Sequence, residues 1–194
     1  ANYFNDLNGN SLSAKSFSEP EQTQSKEKTV YDDVPLNAIY IAFKMCDRLH
    51  PDYYTADVTS DILSNGSSSR LHQRLVKEEK AFVEIDAYIT SSNDVGLFTF
   101  EGQVTDGVDV QHATNLIWQE IEKMQAEKVA EKELEKCKNK MLTYLNFSEA
   151  SLLNRAISLA YYELLGDANL INAEEKNYDA VTAENIQQFT QKTF

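Results

Sequence analysis

The sequence predicts an α+β fold, an antiparallel β-sheet packed by helices on one face. Three observations carry that prediction: an apolar run at 36–43, strand-like alternation at 83–89 and 97–101, and a change to helical periodicity beyond Gly107.

Taken in order, residues 8–29 are polar, contain Gly9 and Pro20, and show no hydrophobic period, so they read as a linker. The expected organisation is the tail of a preceding domain and linker over 1–29, then a single domain over 30–194. The start at Ala1, without Met, reads as a cut inside a longer polypeptide. Leu36, Ala38, Ile39, Tyr40, Ile41, Ala42 and Phe43 are apolar on both faces, which predicts a strand covered on two sides. Pro51 and Asp52 open a helix through Val58 and Ile62 that Gly66 should close, because glycine accepts the left-handed conformation of helix ends. Ser67, Ser68 and Ser69 are candidate caps for a next helix holding Leu71 and Leu75.

Val83, Ile85, Ala87 and Ile89 then alternate with Glu84, Asp86 and Tyr88, giving one apolar and one polar face. A turn at Ser91–Asp94 and Gly96 leads to Phe98 and Phe100, which alternate with Leu97, Thr99 and Glu101; the two strands predict an antiparallel hairpin. From 109 to 147 the stripe Val110, Ala113, Ile117, Ile121, Met124 continues as Leu134, Cys137, Met141, Leu145, so pattern alone permits one long helix. Leu153, Ala156, Ile157, Ala160 and Leu164 form another stripe ending at Gly166, and Thr182 caps a last helix with Ile186 and Phe189.

Composition excludes more than it identifies. Lys and Arg total 18 against 31 Asp and Glu, a formal charge of −13, and such a field repels phosphate backbones and anionic headgroups. Neither nucleic acid nor a membrane is therefore an expected partner. Cys46 and Cys137 lie far apart without a C-x-x-C spacing and read as buried thiols. His50, His72 and His112 are scattered, and none sits in a His-x-x-Glu-His arrangement that would point two ligands together from one helix turn, so no metal is expected in this chain. The serines after Gly66 lack the spacing of a nucleophile elbow, and the acidic and basic residues at 131–138 have the pattern of a solvated helix face. No catalytic residue emerges. What remains is a surface: Glu84, Asp86 and Tyr88 with Glu101 and Thr99 on one sheet face, a candidate for binding extended peptides with basic side chains.

The run Ser64-Asn65-Gly66-Ser67-Ser68-Ser69-Arg70-Leu71, with Gln73, Leu75, Lys77 and Glu78, resembles the pitrilysin/insulysin family of zinc metallopeptidases, in the later, non-catalytic domain. Pro51-Asp52-Tyr53, Gly96-Leu97-Phe98, Glu133-Leu134 with Lys138, Leu159-Ala160 before Gly166, and Val181 to Ile186 stand in matching order, extending the resemblance over 30–194. It implies a fold like that of the mitochondrial processing peptidase domains, with Gly66, Ser68, Ser69, Arg70 and Leu71 as its structural motif. It implies a break in 109–147 near Lys128–Ala130. It implies zinc in a homologous N-terminal partner domain, in the same polypeptide or a separate subunit, and a chamber closed around a peptide. A bacterial protein of the periplasm or the cytoplasm would fit equally. Active members carry an Arg and a Tyr seven residues apart after the Ser-Ser-Arg-Leu element; Val76 and Val83 stand there, so the resemblance implies a domain that encloses substrate without assisting the chemistry. A structural or assembly subunit without peptidase activity is the competing expectation.

Overall fold

The computed structural model describes Pro20, residues 22–90 and residues 93–194. The linker reading at 8–19 and 21 therefore lies outside the described residues, as do Ser91 and Ser92 of the predicted turn. The chain divides into two compact units, Ala1–Asp33 and Val34–Phe194. The first shows no helix or strand among its described residues.

The second unit is the α+β domain that the periodicity predicts. Strands β1 (Ala38–Lys44), β2 (Phe82–Thr90) and β3 (Leu97–Val104) form an antiparallel sheet in the order β1-β3-β2. The helices are α1 (Asp52–Ser64), α2 (Val110–Ala126), α3 (Glu131–Ser148), α4 (Leu152–Leu164), α5 (Glu174–Asp179) and α6 (Ala183–Thr193). The break between α2 and α3 falls at 127–130, where the resemblance placed it; Glu127 and Ala130 are extended and Val129 is buried between them.

The core sits on one side of the sheet. Phe82, Ile85 and Ala87 of β2 and Phe98 and Phe100 of β3 point to it, and α1 contributes Val58, Ile62 and Leu63. Each fully buried apolar side chain of this size stabilises the fold by about 1.5–3 kcal/mol relative to exposure. Phe43, Phe98, Phe100, Phe189 and Phe194 form a ring cluster with centroid separations from 4.8 to 6.2 Å. Thr182 caps α6 by accepting from Asn185 N while the Asn185 side chain accepts from Thr182 N, a complete capping box. Gly102 lies beneath the Phe82 ring, where a Cβ would come within 2.7 Å of it; only glycine permits that approach.

Four sequence readings are corrected. The strand at 38–44 is not covered on two sides: it is an edge strand, with Ala38, Tyr40 and Ala42 facing solvent. Val83 does not share the inner face with Ile85, because a β-bulge between Phe82 and Glu84 inserts it as an unpaired residue and turns it outward. The segment after the serines is a π-helical turn, His72–Glu78, and no side chain caps it; Lys136 Nζ donates to Ser68 Oγ instead, and Ser69 Oγ is buried without a partner. Lys80, which links that turn to β2, has φ +53°, a conformation costing an L-residue roughly 1–2 kcal/mol. Cys46 is only half-buried; Cys137 is buried, and burial pushes its thiol up to about 11.

Candidate functional site

Strand alternation and register build the candidate site. Tyr40, Glu101 and Asp86 stand side by side across β1, β3 and β2, flanked on one side by Ala42, Thr99 and Tyr88 and on the other by Ala38, Gln103 and Glu84. This is the outer face of the sheet, which no helix among the described residues covers: Tyr40 is 65% exposed, Tyr88 39%, and Glu84 and Asp86 face solvent. Tyr40 OH donates to Glu101 Oε1 and Tyr88 OH to Glu101 Oε2, each at 2.9 Å. The carboxylate accepting these bonds raises both tyrosine hydroxyls above their ordinary pKa, so they remain protonated donors at neutral pH. All four sequence-predicted residues, Glu84, Asp86, Tyr88 and Glu101, thus lie on one open face.

Tyr40 is the member that sequence reasoning missed. Its strand read as apolar on both sides, and only the pairing of β1 with β3 sets it opposite Glu101. The resulting surface holds Glu101 between two tyrosine rings, with Asp86 and Glu84 beside it on β2. Its chemistry suits a cationic side chain, through ion pairing with Glu101 and Asp86 and cation–π contact with the rings. Both tyrosine hydroxyls keep their protons beside Glu101, so they act as donors on this face.

A second polar cluster lies inside. Arg48, buried, donates to Glu174 Oε1 at 2.7 Å, to Tyr162 OH at 3.0 Å and to Tyr54 OH at 3.1 Å, and its guanidinium lies 4.2 Å from the centre of the Tyr53 ring. Burial alone would favour the uncharged form, but Tyr54 and Glu174 outweigh it and hold Arg48 protonated. Beside it Tyr178 OH donates to Asp57 Oδ2 at 2.6 Å. A cleft of about 220 Å³ opens next to this cluster, lined by Leu142, Leu145, Ser158, Tyr162, Ile171 and Glu175 among others. These groups tie α4 and α5 to the body of the domain.

The motif residues have structural duties. Gly66 has φ +91°, Leu71 is fully buried, and Arg70 grips Glu133 of α3 with two bonds of 3.0 and 2.7 Å. His50 accepts from Asp52 N, while His72 and His112 lie on other elements. Among the described residues no group of His, Cys, Asp and Glu has the arrangement of a metal site, so these residues do not fit a zinc ion and no chemistry is derived through one.

An α+β sheet with helices on one side, a Gly-turn and Ser-Ser-Arg-Leu element tied to α3, and no convergent metal ligands among the described residues define the class: an α+β domain without a metal centre in its described part. Residues 1–141 match the family described as the peptidase M16 inactive domain, and the chain belongs to that family. Membership implies no catalytic zinc in this chain. The fold is similar to that of a protease from Helicobacter pylori, with 19% identity and a TM-score of 0.79 over 84% of this chain and 40% of that one. A peptidase M16 inactive domain from Pseudomonas fluorescens matches with 16% identity and a TM-score of 0.68 over 83% of this chain and 39% of that one. A chain of complex III2 from Candida albicans matches with 20% identity and a TM-score of 0.71 over 84% of this chain and 41% of that one. No curated protein matches by sequence. The chain thus spans about 40% of the length of these three relatives.

Proposed function

We propose that this chain is the substrate-enclosing, peptide-binding domain of a zinc-dependent metalloendopeptidase, with the zinc in a homologous N-terminal partner domain of the same polypeptide or of a separate subunit. The observation that carries this reading is the uncovered outer sheet face, where Tyr40 and Tyr88 bracket Glu101 beside Asp86 and Glu84. An extended peptide laid across it would place basic side chains against carboxylates and aromatic rings. Membership in the M16 inactive-domain family supports the division of labour, in which this half binds and the other cuts.

The contribution stops short of the reaction. Val76 is half-buried against the core and Val83 is exposed at the bulge, and neither carries a charge or a hydroxyl for a substrate carbonyl. The second reading, a structural or assembly subunit, draws on the likeness to a chain of complex III2.

The deciding experiment measures cleavage of a basic peptide by this chain, by the zinc-bearing partner domain, and by the two together, each with and without added zinc. The chamber reading expects an inert chain that raises the partner's zinc-dependent rate at least tenfold. A complete assembly that binds no zinc and cuts nothing would replace it with the scaffold reading.

A further inference from the structure

Between Leu145 and Tyr178 the chain leaves the core. Helices α1, α2, α3 and α6 all send apolar side chains into one buried cluster, and α5 adds Tyr178, but among the described residues none of 146–177 belongs to that cluster or packs against it. A short helix in a folded domain is ordinarily held by burying its apolar side. Helix α4 turns that side to solvent: Leu153 is 69% exposed, Ile157 59% and Leu164 70%. Tyr162 is its one buried residue, with half-buried Ser158 one turn before it on the same side. Even there the packing is incomplete, because the cleft of about 220 Å³ separates Ser158 and Tyr162 of α4 from Leu142 and Leu145 of α3.

The segment is knit to itself instead. Ser151 caps α4 by accepting from Asn154 N, Glu163 Oε2 accepts from Ala168 N, and α4 packs on the short 3₁₀ helix Ala168–Ala173, which Asp167 caps. Away from its two ends, one hydrogen bond among the described residues joins 150–173 to the rest of the domain, from Arg48 Nη2 to Tyr162 OH at 3.0 Å, and no ion pair does. The flanks are fixed where the segment is not: Leu145 of α3 packs on the core, and Tyr178 of α5 lies within it.

We propose that residues 150–173 are a strap that leaves the domain as a unit, with the hydrogen bond from Arg48 to Tyr162 as its latch. Opening removes Tyr162 from Arg48, so a buried guanidinium and its partner Glu174 come to the surface of the widened cleft. No partner domain is needed for this motion.

Amide hydrogen exchange of this chain, followed by NMR for the natural sequence, Tyr162→Phe and Ile117→Val, tests it. A detached helix of 13 residues is marginal in water, so α4 unravels in the open state and its amides exchange there. In the natural chain the α4 amides should share one opening constant, at least about a hundredfold larger than that of the buried amides of α1 and α2. Tyr162→Phe removes the latch and keeps the ring, so the α4 opening constant should rise about tenfold. Ile117→Val trims the core outside the strap and weakens its closed and open forms alike against the unfolded chain. Exchange in α1 and α2 should then rise several-fold while α4 stays unchanged. If α4 is protected as strongly as α1 and Ile117→Val speeds both, the segment opens only when the whole domain unfolds and no strap exists. Amides that exchange one by one from the ends of α4 would show fraying in place of a unit, which equally overturns it. A unit whose opening constant Tyr162→Phe leaves unchanged would remove Arg48 and Tyr162 as the latch.

Discussion

Two tyrosine–carboxylate clusters in this domain are chemically alike and physically opposite. Tyr178 donates to Asp57 at 2.6 Å between α5 and α1, enclosed by the domain; Tyr40 and Tyr88 donate to Glu101 at 2.9 Å on a sheet face open to water. Inside, desolvation dominates: it pushes the Asp57 carboxyl up to about 6, despite the Tyr178 hydroxyl that favours its charge, and pushes the Tyr178 hydroxyl well above its usual range. Outside, water can replace either partner at little cost, so the same bond adds little to stability and leaves the carboxylate free to exchange a tyrosine for a ligand. The inner pair belongs to the fold. The outer one is available for binding.

The largest effect that would sharpen this contrast is at the Arg48 anchor next to the inner pair. Glu174→Ala leaves a buried guanidinium without its counter-charge, and breaking such a pair costs about 3–5 kcal/mol, read as a lower urea midpoint. A loss under 1 kcal/mol would mean that Tyr54 and Tyr162 suffice to hold Arg48. The next effect is a pH dependence. Asp57 has a folded-state value of about 6 against 3.8 for a free carboxyl, so the folded state binds the proton more tightly. The stabilisation from that proton is full below about pH 4 and lost as pH rises through 6, an expected fall of roughly 2–3 kcal/mol relative to Asp57→Asn. Urea denaturation of both proteins from pH 4 to 7 checks it; parallel profiles would show a carboxyl already ionised in the folded state.

What was legible in the sequence follows the same boundary. Period-two alternation gave the β2–β3 hairpin and put Glu84, Asp86, Tyr88 and Glu101 on one face, because adjacent pairing preserves the alternation. It failed at Val83, where one inserted residue reverses the side, and at Tyr40, whose exposure depends on β1 being an edge strand. Arg48 carried no local signal, since Tyr162 and Glu174 lie 114 and 126 residues away. The stripe on α4 was plain, but periodicity says only that a helix has an apolar side, not whether its own domain covers that side. The break at 127–130 came from the resemblance and not from the pattern, because apolar residues recur at helical spacing on both sides of it.

The smallest expected effect on stability is the most informative about the site. Glu101→Gln removes the charge that both exposed tyrosines address but retains the shape and an acceptor oxygen, so urea denaturation should move by no more than about 0.5 kcal/mol. Binding should respond differently. A peptide bearing Arg or Lys loses its charge-assisted partner, and its affinity for the domain should drop about tenfold, whereas a neutral analogue of the same length should bind both proteins equally. If the substitution instead costs more than 1 kcal/mol of stability and spares the basic peptide, then Glu101 braces β1 against β2 through the two tyrosines. In that case the outer pair, like the inner one, belongs to the fold.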